Sequence, residues 1–184
     1  MTLEEIRTKL DDIDKTLKDS FVLRMKCSEQ IAEIKADSND SIYKPDRETL
    51  IISRNSADVD EPIRKEYREF LKTIIGLSRK YQYEKINEIK CPKFLNDIIN
   101  SLFTDDNSKK DVNIRFKCDD TFDAFSAAIA MVHNYDCVIN DFSCEHLDEG
   151  KYIISFKTYI DRNNTENLAM LYQLSEETTD FEIY

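Results

Sequence analysis

The sequence is poor in histidine, a common metal ligand. It has only two histidines, His133 and His146, and neither lies in a cluster with the spacing of metal ligands. Its cysteines are odd in number and include no CxxC pair. We therefore expect free thiols in a reducing, cytoplasmic compartment and no bound metal. The cysteines are Cys27, Cys91, Cys118, Cys137 and Cys144.

Long apolar segments are also missing. No apolar run approaches the length that crosses a membrane, and the charged start MTLEEIRTKL does not resemble a signal peptide. The net charge of −11 is concentrated in the second half of the chain. Residues 1–90 contain 18 basic and 19 acidic side chains, whereas residues 91–184 contain 8 and 18. We expect no binding to nucleic acid or to an anionic membrane, although a locally basic pocket could hold a small anion.

The chain has no glycine or proline before Pro45. Thr2 and Glu5 have the spacing of a capping box, which predicts the start of a helix. Apolar residues then recur every seven positions to about Ile34, which gives a helix roughly 50 Å long. Such a helix needs partner helices along its length. The seam residues are Leu3, Leu10, Leu17 and Ile31 at one heptad position, and Ile6, Ile13, Cys27 and Ile34 at the other.

Arg24 interrupts this seam between Leu17 and Ile31. A guanidinium on a buried seam is costly unless an anion neutralises it. None of the seam positions carries an acidic residue. We therefore expect Arg24 to bind an anionic ligand.

The rest of the chain divides into a helical and an alternating region. Turn residues at 36–44 precede a helix from Pro45 to about Ser56, a helix over 63–89, a short helix around 94–102 and a linker at 104–111. From Val112 the period becomes alternating, and the predicted elements are strands at 112–118, 138–144, 152–159 and 181–184 and helices at 121–133 and 165–174. The order βαββαβ is that of a ferredoxin-like, split-βαβ fold.

Several polar side chains of the helical region have spacings that bring them together. Arg24 and Lys35 differ by about 20° around the first helix and about 16 Å along it, so both could contact one small anion. Arg7 lies about 25 Å from Arg24 and could reach such a ligand only from another chain. Ser78 and Gln82 share a face of the third helix.

These residues fall in a pattern that resembles the all-helical chorismate mutases. The resemblance covers residues 1–90. It rests on five short motifs in order: I-R-x-K-L-D-x-I-D at Ile6–Asp14, Arg24, I-x-x-I-K at Ile31–Lys35, P-x-R-E at Pro45–Glu48, and S-x-x-x-Q at Ser78–Gln82. The family converts chorismate to prephenate in phenylalanine and tyrosine biosynthesis, without a cofactor.

The resemblance implies a role for each of these residues. Arg24 would bind one substrate carboxylate, and Arg7 of the partner subunit of a homodimer would bind the other. Lys35 and Gln82 would donate to the ether oxygen, where negative charge develops in the transition state. Glu48 would accept from the ring hydroxyl. Arg47 and Ser78 would line the site.

The region from Val112 resembles the small regulatory domain called ACT. The resemblance rests on the element order and on the segment Val138–Phe142. It implies an amino-acid effector or a dimerisation role, and we assign no effector residues. The expected fold is thus α+β, with a helical mutase-like domain at 1–90, a connecting helix and linker at 91–111, and an ACT-like domain at 112–184.

Two other functions remain open from the sequence. Isochorismate-pyruvate lyases use a similar cationic pocket on the same scaffold, although Glu48 suits the ring hydroxyl of chorismate. A non-catalytic protein that binds an aromatic metabolite is the second alternative. The presence of Arg7, Arg24, Lys35, Glu48 and Gln82 together argues against it.

Overall fold

The computed structural model describes residues 1–38, 40–104, 106–119 and 121–184, and the side chains of all of these except Phe122 and Asp123. Asn39 of the expected turn and Asp105 of the expected linker lie outside the described residues. The helices are α1 Leu3–Ser38, α2 Pro45–Ser56, α3 Glu61–Ile89, α4 Lys93–Leu102, α5 Phe122–Asn134 and α6 Thr165–Glu177. The strands are β1 Lys109–Asp119, β2 Asn140–Leu147, β3 Lys151–Asp161 and β4 Thr179–Ile183.

The predicted capping box begins α1. The Thr2 amide donates to Glu5 Oε2 at 2.7 Å, and the Glu5 amide donates to Thr2 Oγ1 at 3.2 Å. The helix continues four residues beyond its predicted end at Ile34. Ala36 is buried in the core, and this packing favours helix where the sequence favours a turn.

Only the second part of α1 packs inside the chain. Ser28, Ala32 and Ala36 are buried, whereas every side chain from Met1 to Arg24 is exposed. The helix α1 runs in the same direction as α3. The Arg24 side chain contacts Ser78, and further along both helices the Glu29 side chain contacts Lys85. The partner helices expected along the whole of α1 are thus supplied by this chain only beyond Arg24.

The strands form one antiparallel sheet in the order β2-β3-β1-β4. The element order after α4 is βαββαβ, as predicted. The strand β1 begins three residues before its predicted start, because residues 109–111 already pair with residues 161–159 of β3. The alternation in β1 is confirmed: Val112, Ile114 and Phe116 are buried.

One cluster of buried side chains spans the helical region and the sheet region. The helix α6 contributes most to this continuity: Ala169, Met170, Leu171 and Leu174 are fully buried. Its Tyr172 ring meets the Tyr83 ring of α3 edge to face, with centroids 4.9 Å apart. The packing of α6 therefore fixes the position of α3 relative to the sheet.

Candidate functional site

Three of the expected site residues meet between α1 and α3. Arg24 Nε donates to Ser78 Oγ at 3.0 Å, and Ser78 Oγ donates to the Ile74 carbonyl at 2.9 Å. Gln82 Nε2 donates to the Ser78 carbonyl at 3.1 Å. Ser78 and Gln82 are buried, and Gln82 Oε1 accepts no hydrogen bond from any residue that the structure describes. A buried polar atom without a partner is costly in a finished core and is typical of a binding site.

The exposure of Arg24 corrects one expectation. The heptad pattern predicts that Arg24 lies on a buried seam, but its side chain is exposed in the single chain. The reason is that the seam itself is uncovered here: Leu10 is 52% exposed and Leu17 is 47% exposed. The chain therefore avoids the cost of burying the guanidinium, and a hydrogen bond to Ser78 anchors Arg24.

Lys35 lies near the start of α2, at the other end of the expected site. It is half-buried, and its Nζ donates to the Ile42 carbonyl at 3.1 Å. Burial is the main reason why the pKa of Lys35 lies below its usual value, and the charges of Lys44 and Arg47 lower it further. The Glu48 carboxylate opposes this effect. The structure thus brings Lys35 into the electrostatic range of both Arg47 and Glu48.

Glu48 has a partner that the sequence pattern does not indicate. Its carboxylate pairs with Arg79 of α3, and Arg79 also contacts Glu177 of α6, with 3.1 Å between Arg79 Nε and Glu177 Oε1. Burial raises the pKa of Glu177 to about 7 despite the nearby guanidinium. In the sequence, Arg79 is marked only by its position next to Ser78. No local sequence pattern links Glu48 or Arg79 to position 177.

Arg7 and Arg47 remain apart from these contacts. Arg7 is exposed and pairs with Glu4 on its own helix, with 3.6 Å between Nη1 and Oε2. Arg47 is exposed in the first turn of α2. The chain therefore gathers Arg24, Ser78 and Gln82 in one group and places Lys35 near Glu48 in another. Arg7 belongs to neither group and lies on the exposed first part of α1.

Two cavities lie where the C-terminal region covers the helical region. A cavity of about 460 Å³ has Glu48, Ile52 and Arg79 on one side and α5 residues such as Ala127 and Met131 on the other. A cavity of about 210 Å³ includes Lys35 and Tyr172. Neither cavity is lined by Arg24, Ser78 or Gln82.

The described residues contain no group of three or more side chains arranged to hold a metal ion, and their five cysteines are free thiols. Within the same part of the chain, no helix is both long and apolar enough to span a membrane. One group of expected site residues supplies a cation, a hydroxyl and an amide, and the other supplies a cation near a carboxylate. The cations of both groups are suited to binding an anionic molecule.

Comparison with known families singles out the same region. Residues 6–83 match the family model of chorismate mutase type II. The chorismate mutase match includes most of α1, all of α2 and most of α3, and it ends one residue after Gln82. It therefore contains every expected site residue from Arg7 to Gln82. No curated protein and no solved structure matches the chain.

Proposed function

We propose that this protein is a chorismate mutase that converts chorismate to prephenate, as in the biosynthesis of phenylalanine and tyrosine. The single observation that carries the proposal is the hydrogen-bonded group of Arg24, Ser78 and Gln82 inside the chorismate mutase match. It joins a cation of α1 to the buried Ser78 side chain of α3, and the buried Gln82 side chain donates to the Ser78 carbonyl.

Each proposed role follows from the charge of the substrate. Chorismate is a dicarboxylate, and negative charge develops on its ether oxygen as the carbon–oxygen bond breaks. Arg24 binds one carboxylate, while Lys35 and Gln82 donate to the ether oxygen. Glu48 accepts from the ring hydroxyl. These groups also hold the substrate in a chair-like conformer, which lowers the entropic cost of the rearrangement.

Arg47 and Ser78 complete the proposed lining of the site. Arg47 adds positive charge at the start of α2, close enough to influence Lys35. Ser78 orients Arg24 through the hydrogen bond to Nε. This contact leaves the terminal nitrogens of Arg24 available for a carboxylate, which they can bind in a bidentate manner.

A homodimer would complete the site. All 24 side chains at the start of the chain are exposed, and they include the apolar seam residues Leu3, Ile6, Leu10, Ile13 and Leu17. Exposed apolar surface of this extent is typical of an interface. A second copy that covered the seam would bring Arg7 of one subunit toward the other subunit's site, where it would bind the second carboxylate.

The C-terminal region is proposed to be an ACT-like module. The four-stranded antiparallel sheet with two helices supports this proposal. The packing of α6 on α3 gives the module a direct route to the helices that carry the proposed site. Chorismate consumption measured with and without phenylalanine and tyrosine tests for regulation by an amino acid.

The decisive experiment follows the loss of chorismate and the formation of prephenate by the purified protein. Arg24→Ala should lower kcat/KM by at least about ten- to a hundredfold, because one charge-assisted contact is lost. Lys26→Ala is the matched control, since Lys26 is an exposed cation on the same helix, about 200° away around its axis. Equal activities of the two variants, or consumption of isochorismate instead of chorismate, would contradict the proposal.

A further inference from the structure

A single guanidinium links the proposed active site to the C-terminal region. Arg79 Nη1 pairs with Glu48 Oε2, and Arg79 Nε lies 3.1 Å from Glu177 Oε1. The exposed fractions of the three side chains are only 12% for Arg79, 18% for Glu48 and 3% for Glu177. The guanidinium also lies over the Tyr43 ring, 4.9 Å from its centroid. Charges buried this deeply are stabilised by oppositely charged neighbours, because little water reaches them.

The position of Glu177 is set by the C-terminal region itself. Gln173 Nε2 donates to Glu177 Oε1 at 3.0 Å, one turn earlier on α6. Gln173 Oε1 accepts from the Tyr135 hydroxyl at 2.9 Å, at the end of α5. Gln173 and Tyr135 are both buried. A continuous polar path therefore runs from α5 through α6 to Arg79 and Glu48.

We propose that Arg79 is a positioning residue that orients the Glu48 carboxylate toward the ring hydroxyl of the substrate, and that Glu177 holds Arg79 in place. The inference rests on the proposed chorismate mutase activity. Arg79 contacts Oε2 of Glu48, and Oε1 is the atom that we assign to the substrate hydroxyl. In this arrangement the C-terminal region completes the active site without contacting the substrate.

The link should weaken in acid. Burial raises the pKa of Glu177 to about 7, and Glu48 raises it further, while Arg79 and hydrogen bonding lower it. Below this pH a protonated Glu177 no longer holds Arg79 by charge, so its effect on Glu48 should appear mainly above pH 7. The titratable and charged groups that face this network are Tyr43 before α2, Glu48 on α2, Arg79 and Tyr83 on α3, Tyr135 after α5, and Glu176 on α6.

A neighbouring ion pair provides the matched control. Lys80 also joins α3 to α6, with 3.7 Å between Lys80 Nζ and Glu166 Oε1, but it pairs with Glu84 rather than with Glu48. Lys80→Met and Glu166→Gln therefore remove a contact between the same two helices without affecting Glu48. Lys80 also lies over the Tyr135 ring, 4.9 Å from its centroid, so Glu166→Gln, which removes the contact from the α6 side, is the control for the packing of α6.

Steady-state kinetics of the full chain with chorismate test the proposal. Arg79→Met should lower kcat/KM roughly ten- to a hundredfold, and Glu177→Gln roughly three- to tenfold at pH 8. At pH 5.5, where the parent residue is protonated, Glu177→Gln should match the parent protein. The two control variants should remain within about twofold of the parent at both pH values. Arg79→Lys, which keeps the charge and the stem, should fall between the parent and Arg79→Met.

A double-mutant cycle separates positioning from a merely structural role. If Arg79 acts through Glu48, adding Arg79→Met to Glu48→Gln should change kcat/KM by less than about twofold. Losses that multiply in the double variant would overturn the proposal. So would equal losses in Arg79→Met and Lys80→Met, or a Glu177→Gln effect that does not change with pH.

A spectroscopic measurement distinguishes failure of this inference from failure of the proposed function. The titration of the Glu177 carboxyl can be followed by carbon-13 NMR in the absence of substrate. Its midpoint should rise in Arg79→Met and stay unchanged in Lys80→Met. An unchanged midpoint in Arg79→Met would overturn the pairing itself. If the parent protein does not consume chorismate, the proposed function is wrong. Arg79 and Glu177 would then form an ion pair that has no role in this reaction.

Discussion

The two parts of α1 differ sharply in how this chain uses them. From Met1 to Arg24 every side chain is exposed, although the apolar heptad pattern is regular there. The pattern breaks at Arg24 and resumes beyond it, yet there Ser28, Ala32 and Ala36 are the residues that pack inside the chain. Large apolar residues thus mark the surface that this chain leaves exposed, where we propose that a second copy binds, whereas small residues mark the surface packed internally. The following predictions test this difference.

Adding charge to the exposed seam should have the largest effect. Leu10→Asp together with Leu17→Asp would place two carboxylates at an apolar dimer interface, where burying them is costly. We expect the dimer to dissociate and kcat/KM to fall by more than about a hundredfold. Light scattering gives the mass in solution, and a chorismate assay gives the activity.

The control for this experiment lies on the same segment. Thr8→Asp together with Lys15→Asp adds at least as much negative charge on the side of the helix opposite the seam. This variant should remain dimeric and active. A parent protein that is monomeric and active, or two variants that behave alike, would show that the exposed part of α1 has another role.

Mixing two inactive variants tests whether Arg7 acts across the interface. Dimers of Arg7→Ala and Arg24→Ala subunits would contain one site with both residues intact. If subunits exchange freely, a 1:1 mixture should recover about a quarter of the parent activity. The activity of the mixture should rise at the same rate as subunits exchange. Mass spectrometry of isotope-labelled chains can follow that exchange. Hybrid dimers without activity would place both arginines in the same subunit's site.

The stability of the folded chain should depend on pH through the buried Glu177 carboxyl. Because burial raises the pKa of Glu177 to about 7 in the folded chain, proton binding favours folding. This contribution is complete below the unfolded value of 4.5 and is lost as the pH rises to about 7. Relative to Glu177→Gln, the parent protein should lose about 3 kcal/mol of unfolding free energy over this range. Urea unfolding at pH 4.5, 6 and 7.5 measures it, and a constant difference would contradict the assignment.

Substitutions at Ala32 and Ile34 compare the two faces of the second part of α1. Ala32 is fully buried, so Ala32→Leu should overpack the contact with α3 and cost about 1–3 kcal/mol. Ile34 is 67% exposed, and Ile34→Ala should change the stability of the isolated chain by less than about 0.5 kcal/mol. Thermal unfolding at low protein concentration measures both. A larger cost at Ile34 under these conditions would mean that the seam is already covered.

The sequence predicts local features of this fold well because they depend on neighbouring residues. The capping box at Thr2, the helix start at Pro45 and the alternation in β1 follow from short-range spacing, and the structure confirms them. The predicted end of α1 is wrong by four residues, because the tertiary packing of Ala36 outweighs the local preference for a turn. A residue's neighbours in the chain do not reveal such packing.

The candidate site was predictable to a similar extent. Helical geometry predicts that Arg24 and Lys35 share one side of α1, and the structure adds the hydrogen bond from Arg24 to Ser78, 54 residues away. Arg79 and Glu177 could not be found in this way, since their pairing depends on how α6 packs on α3. The roles of Lys35, Glu48 and Gln82 stay predictions until the variants are assayed.

The shared cluster of buried side chains has a practical consequence for attempts to separate the two regions. A fragment that ends at Ile89 would expose Tyr83 and Ile86 to water, since α6 normally covers them. It would also leave the Arg79 guanidinium without Glu177. Limited proteolysis between the regions should therefore yield aggregating pieces rather than a folded helical fragment. The helices cannot be separated from the C-terminal region without exposing part of their buried core.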